Sequence, residues 1–147
     1  MTEVVVEFEV AGTPKPQGSM ITSATSNALW YPQKTKDHRN LLVGSFHDQW
    51  EYEPIDIPVR LDLTFHMPRP AWHFGTGRNA GTLKGTSPER HTQTPDLDKL
   101  VRLVGDAMVV AGVLKDDSLI DEINAKKVWM DTDGSVGSTN VRMVLAR

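Results

Sequence analysis

Residues 94–98 read TPDLD, and residues 115–117 read KDD. Asp96 and Asp98 straddle Leu97. On an extended backbone both carboxylates point to one side, because a strand alternates sides with period two, and Leu97 points inward and anchors them. A helix over about residues 99–111 then carries the chain roughly 20 Å away. Asp116 and Asp117 rejoin the first pair only if the strand after that helix starts near the helix N-terminus. Carboxylates that do converge repel one another and need a cation. All-oxygen ligands in a chain without cysteine suit Mg²⁺ or Mn²⁺ rather than structural zinc. Such an ion polarises a phosphoryl oxygen and acidifies a bound water, which is the chemistry of phosphodiester hydrolysis. On spacing alone a plainer reading stands beside it, in which Asp98 caps a helix, Asp116 and Asp117 shape a turn, and Asp96 is surface.

Positioning these groups requires regular elements on both sides. Leu97, Leu100 or Val101, Val104, Ala107 or Met108, and Ala111 recur at the helical period, with Asp96 or Asp98 at the start and Gly112 as terminator. Arg102 lies one turn beyond Asp98 on the same side, where it either pairs with a carboxylate or reaches a phosphate as a planar fork. Asp106 lies about two turns beyond Asp98, too far to share its ion. Residues 59–67 alternate Val59, Leu61, Leu63, Phe65 and Met67 against polar partners, and residues 4–10 alternate in the same manner, so both are strands. Thr35 is placed to cap a helix over 36–50 that carries Leu42, Phe46 and Trp50 on one side and leaves Lys36, Asp37, Arg39 and Asp48 for solvent. Residues 119–130 and 139–146 read as strands joined by a turn at Asp133-Gly134. In the first of these, Lys126 and Lys127 must face opposite ways. Together these elements predict an α/β fold with a small mixed β-sheet packed with helices.

The length of 147 residues predicts one domain. No long apolar run opens the chain, so neither a signal peptide nor a transmembrane helix is predicted, and a cytoplasmic location follows. A net charge of −3 is unusual for a nucleic-acid binder, but its distribution is uneven. Residues 68–95 form a long Gly- and Pro-rich connection bearing Arg69, Arg78, Lys84 and Arg90 against Glu89 alone. Such donors contact phosphates without reading bases. Trp72 and Phe74 either stack on an opened base or pack the loop onto the domain. The spacing of His66, His73 and His91 fits no zinc motif and predicts surface histidines. Phe46, Trp50 and Trp129 read as core or dimer contacts, and the sequence says nothing of Trp30 and Tyr31. There is no Walker-type phosphate loop, so no nucleotide cofactor is implied.

The stretch PDLDKLVRLVGDAMVVAGVLKDDSLI at residues 95–120 resembles the RusA-like family of Holliday-junction resolvases of phages and prophages. Its signature is a PDxDNL segment, a helix with a D-A pair and a DDxQ-type return. The early VAGTPKPQGSM and the RPAWHFGTGRNAGTLKG stretch resemble the family more weakly. The resemblance implies a small α/β homodimer that cuts four-way DNA junctions with Mg²⁺ or Mn²⁺. It places the metal-binding aspartates at Asp96, Asp98 and Asp117, the catalytic basic residue at Arg102, the helix aspartate at Asp106 and a strand lysine at Lys127. Asp116 then either holds a metal-bound water or shapes the turn, and Asp106 and Lys127 are further candidates for the outer shell of the ion. Lys99 stands where the family has Asn, and Leu119 where it has Gln, removing groups that could orient a ligand. Lys99 joins Arg69, Arg78, Lys84 and Arg90 as a DNA-contact candidate. Alternatives to junction resolution are a nuclease for forks or flaps, and a catalytically weakened junction-binding protein.

Overall fold

The computed structural model describes residues 3–16, 21–22, 29–30 and 33–145. In chain order the elements are β1 (Val4–Ala11), β2 (Ile21–Thr22), β3 (Leu29–Trp30), α1 (Gln33–Gln49), β4 (Val59–Met67), α2 (Leu97–Val110), β5 (Ile120–Trp129) and β6 (Ser138–Leu145). Four strands form one mixed sheet in the order β1-β6-β4-β5, and β2 and β3 form a separate small ribbon. Within the sheet β6 runs antiparallel to both β1 and β4, while β4 and β5 are parallel. The fold is thus α/β, as the patterning predicts.

The alternation in β4 has a direct physical cause. Val59, Leu61, Leu63, Phe65 and Met67 are all buried, whereas the residues between them are only half-buried. Register continues this apolar face across the sheet, with Leu63 beside Val141 and Val141 beside Phe8. Both helices close over it. Phe46 of α1 meets Phe8 edge to face at 5.5 Å, and Leu100, Leu103, Val104, Ala107 and Met108 of α2 join the same core. Burying each large side chain contributes about 1.5–3 kcal/mol, so one apolar stripe suffices to seat each helix.

Three expectations change. Helix α1 begins at Gln33, so Thr35 lies inside it rather than at its cap. Strands β5 and β6 do not form a hairpin, because β4 lies between them. The connection at 68–95 is not irregular throughout. Two 3₁₀ turns form, Ala71–His73 and Gly77–Asn79, and a bridge between Phe74 and Leu83 closes around the second. Trp30 falls in β3, and Tyr31 lies outside the described residues. Among the described residues no helix is long and apolar enough to cross a membrane.

His38, which the apolar stripe of α1 does not include, is buried. Burial, and secondarily the charge of Lys15, pushes its pKa from 6.5 to about 4. The folded chain therefore keeps His38 neutral where the unfolded chain protonates it, and the unfolded state binds the extra proton as pH falls. This contribution to stability is fully present above pH 6.5 and is lost progressively toward pH 4. The change is on the order of 3 kcal/mol. Buried His73 and His91 are shifted in the same direction, chiefly by desolvation. Urea unfolding followed from about pH 7 down to 4.5 is expected to show falling stability, with a shallower slope for His38→Gln.

Candidate active site

The chain approaches α2 along residues 93–95, and a lysine from β5 fixes that approach. Lys127 lies in register with Phe65 on the helix-bearing side of the sheet. Its aliphatic stem crosses the apolar layer and its charged head emerges beyond it. The Lys127 ammonium donates to the carbonyls of Gln93 at 2.8 Å and Pro95 at 2.9 Å. Lys127 is thus a positioning residue, and the carboxyl of Asp96 follows immediately. Asp96 is the N-cap of α2 by backbone conformation, its carbonyl accepting the Leu100 N–H. Its carboxylate does not cap. It pairs instead with the Lys99 ammonium at 3.4 Å. Leu97 packs against the core, while Asp98 is exposed in the first turn, where the positive end of the helix favours an ionised carboxylate. Arg102 is exposed one turn on, with no ion-pair partner among the described residues.

The second acidic group lies elsewhere. Helix α2 ends at Val110, and Gly112 takes the left-handed conformation that ends helices, at φ +83°. The segment that follows is then tied down beside the start of β4. The Ile55 N–H donates to Val113 O and the Lys115 N–H to Ile55 O, both at 2.9 Å, and Lys115 pairs with Asp56 at 3.1 Å. Asp116 caps the short 3₁₀ turn at Asp117–Leu119, its carboxylate accepting the Ser118 N–H at 2.8 Å. That backbone bond, with help from the Ser118 hydroxyl and from Asp117, holds the Asp116 carboxyl below its ordinary value. Of the two roles open to Asp116, the turn is the one the geometry contains. Asp117 shares a shallow hollow with Asp106, Asp116 and Arg39. Sequence reading had left Arg39 to solvent, since nothing in α1 signals what a helix sixty residues later brings beside it.

The fourteen residues of α2 therefore stand between the two acidic groups, about 20 Å of helix. Strand β5 starts beside the C-terminal half of α2, where Ile120 packs on Gly105, and not beside its N-terminus. The return that would bring Asp117 to Asp96 and Asp98 within one chain does not occur. Among the described residues no three His, Asp or Glu side chains lie close enough to hold a metal ion. A single chain does not offer a complete ligand set to Mg²⁺ or Mn²⁺.

Residues 11–137 match the sequence model of the family described as endodeoxyribonuclease RusA. The chain belongs to the RusA family. It is also similar to a crossover junction endodeoxyribonuclease RusA of Aquifex aeolicus (strain VF5), with 19% identity over 132 residues that cover 89% of this chain and 87% of that protein.

Within this RusA-family chain the basic loop divides into anchor and surface. Arg69 is an anchor. Its side chain is only 6% exposed and pairs with Asp131 at 3.1 Å. It also donates to Pro88 O at 2.7 Å and lies over the Trp129 ring at 5.3 Å, a cation–π contact. A guanidinium so committed braces the loop from within, unlike the exposed cations around it. His73 and His91 flank Trp129, with ring centroids at 4.9 and 4.3 Å, and both are buried rather than surface residues. The two aromatic candidates part company, since Phe74 is buried and Trp72 is 58% exposed. Arg78, Lys84 and Arg90 remain exposed. Trp50 and Trp129 pack against the core, and Phe46 is within it.

Sequence reading also missed a polar cluster on the sheet face opposite the helices. Asp62 accepts from Asn124, Arg60 and Arg142 at 3.0–3.2 Å. Burial pushes its carboxyl up, but these donors outweigh burial and hold it below its ordinary value. The strand alternation marked these positions as polar, yet only the sheet order places β5 and β6 on either side of β4.

The division of the loop is testable by two substitutions. Arg69→Ala is expected to cost about 2 kcal/mol in urea unfolding and to open residues 76–92 to proteolysis. Arg78→Ala is expected to leave stability unchanged while weakening DNA binding, with the salt slope of log K reduced by about one.

Proposed function

We propose that this protein is a divalent-cation-dependent endodeoxyribonuclease that resolves four-way DNA junctions by paired nicks. The observation that carries the proposal is the exposed pair Asp96 and Asp98 at the start of α2, held by Lys127, with Arg102 one turn beyond, in a chain of the RusA endodeoxyribonuclease family. A relative named a crossover junction endodeoxyribonuclease, matched over most of both chains, supports the choice of substrate.

Asp96, Asp98 and Asp117 are the proposed ligands for Mg²⁺, or for Mn²⁺ in its place. Bound there, the ion would supply Lewis acidity toward a phosphoryl oxygen and a more acidic water. The chain's own residues do the rest. Lys127 fixes the backbone from which Asp96 projects, and burial of Leu97 fixes the turn that presents Asp98. Arg102 reaches the phosphate as a cationic fork and stabilises the charge that develops in the transition state. Arg78, Lys84 and Arg90 contact the backbone of the arms, which suits recognition of branch shape rather than sequence. Two opposed nicks require two equivalent sites, which a homodimer with two-fold symmetry provides.

One observation favours a slower enzyme. The Lys99 ammonium occupies a carboxylate oxygen of Asp96 that a cation would otherwise use. Binding with weak cleavage is the second reading, and Lys99→Asn tests it by lowering the Mg²⁺ concentration needed for half-maximal nicking a few-fold.

The main test is nicking of an immobile four-way junction beside linear duplex and fork controls, in Mg²⁺, in Mn²⁺ and in EDTA. Paired nicks confined to the junction and lost in EDTA are expected. Asp98→Asn should reduce them by more than about 100-fold, beyond the loss typical of residues that merely support a ligand. Undiminished nicking by this variant would refute the carboxylate assignment, and cleavage of forks in preference to junctions would change the substrate.

A further inference from the structure

The parallel strands β4 and β5 end where α2 begins, and a hollow of about 670 Å³ opens at that end of the sheet. The crevice beyond the carboxyl ends of parallel strands is a common place for ligands. The hollow is lined by residues 13–16 after β1, by residues 67–70 after β4, by Trp129 of β5 and by residues 91 and 93–95. Pro95 is held by the Lys127 ammonium, and Asp96 is the next residue. An occupant of the hollow is therefore a neighbour of that carboxylate without being bound by it.

The walls are fixed in place. The Gly12 N–H donates to Gly137 O at 2.8 Å, and any side chain at 137 would collide with Thr13 and Pro14. Only glycine there lets residues 13–16 lie so close to the end of β4. On the far side the Lys127 ammonium holds residues 93 and 95. Five of the lining residues are prolines. A proline presents an apolar ring and has no N–H, so the hollow offers stacking area and few backbone donors. A phosphate stripped of water there would go unpaired, whereas the flat face of a nucleobase stacks on such a surface.

Polar groups stand around this apolar lining. Lys15, Gln93 and Thr94 are exposed, and the Gln93 amide offers both a donor and an acceptor. His91 Nδ1 and Trp129 Nε1 are buried with no hydrogen-bond partner among the described residues, although both residues line the hollow. Unpaired buried nitrogens are uncommon in packed structures. A base edge pressed against this wall brings the acceptor that the indole N–H lacks.

We propose that this hollow takes one unstacked nucleobase of the branched DNA, against the proline rings and Trp129, with Gln93 at the base edge and Lys15 at its phosphate. This deepens the junction-nuclease reading given above and rests on it. Taking a base out of the stack costs least where stacking is already interrupted, and a branch point is such a place. The hollow therefore favours a branch over continuous duplex. Every base has a flat face, so the contact tolerates sequence.

Two measurements test the proposal, and neither needs cleavage. The first follows the indole N–H signals of isotope-labelled tryptophan by NMR as a deoxynucleoside monophosphate is added, with Trp129→Phe assigning the Trp129 signal. A saturating shift at Trp129 in the millimolar range is expected, weaker in Gln93→Ala, and deoxyribose phosphate should give none. No shift, or an equal one from the sugar phosphate, would overturn the proposal. The second measures binding, in EDTA, of four-way junctions that each lack one base near the branch. Loss of one particular base should weaken wild-type binding about ten-fold, the scale of a single stacked base. Gln93→Ala should weaken binding of the intact junction and not of the junction lacking that base. Equal losses at every position, or a Gln93→Ala effect that persists without the base, would overturn the proposal. So would micromolar binding of the mononucleotide with no single base mattering in the junction, which would assign the hollow to a free nucleotide. Junctions that fail to bind while the Trp129 shift persists would sink the junction reading alone, the hollow's affinity for a base standing on the first measurement.

Discussion

The parallel pairing of β4 and β5 is the constraint on which the rest of the molecule depends. Two parallel neighbours cannot be joined by a tight turn, so the chain must cross from the end of β4 to the start of β5 over the sheet. Helix α2 makes that crossing and therefore runs against the strands. Whatever stands before it lies at one end of the sheet, and whatever follows lies at the other. The apolar stripe of α2 packs on the alternating face of β4 and leaves the helix little freedom to shift. The Ile55 and Lys115 bonds fix the far end with equal firmness. The separation of the two acidic groups is thus a property of topology, not of a loop that could adjust.

The same crossing explains why residues 68–95 are long and yet organised. The connection leaves the end of β4 and must return to the start of α2 at the same end of the sheet, so its length serves the surface it builds. Arg69, Trp129, His73 and His91 form a compact root beneath it. The histidines are held toward neutrality by burial and by the nearby cations Arg69 and Lys127, which spares the root a cluster of like charges. Above this root, Arg78, Lys84 and Arg90 are presented to solvent on a braced backbone. Basic residues close in sequence therefore have unlike surroundings, Arg69 buried against Trp129 and the other three exposed.

Charge is also partitioned between the two faces of the sheet. On the face without helices, Asp62 gathers Arg60, Arg142 and Asn124 into a satisfied network, so these two arginines are already engaged. The exposed cations of α2 and of the loop have fewer partners. Among the described residues, Arg102 of α2 and Arg78, Lys84 and Arg90 of the loop are exposed cations outside that network.

Local pattern by itself determined much of this protein. The period-two alternation of residues 59–67, the helical stripe from Leu97 to Ala111 and the glycine after it each encode their element, because burial of one face is a local requirement. The identity of the acidic and basic candidates was equally legible in residues 95–120. What those residues could not state was which element lies beside which. Whether Asp117 returns to Asp98, whether Arg69 is exposed or lies against Trp129, and whether β6 pairs with β5 or β4 all depend on sheet order and strand direction. These are settled by packing among segments tens of residues apart, for which a single sequence carries no local signal. Tertiary structure decided them, and so placed the two acidic groups at opposite ends of one helix.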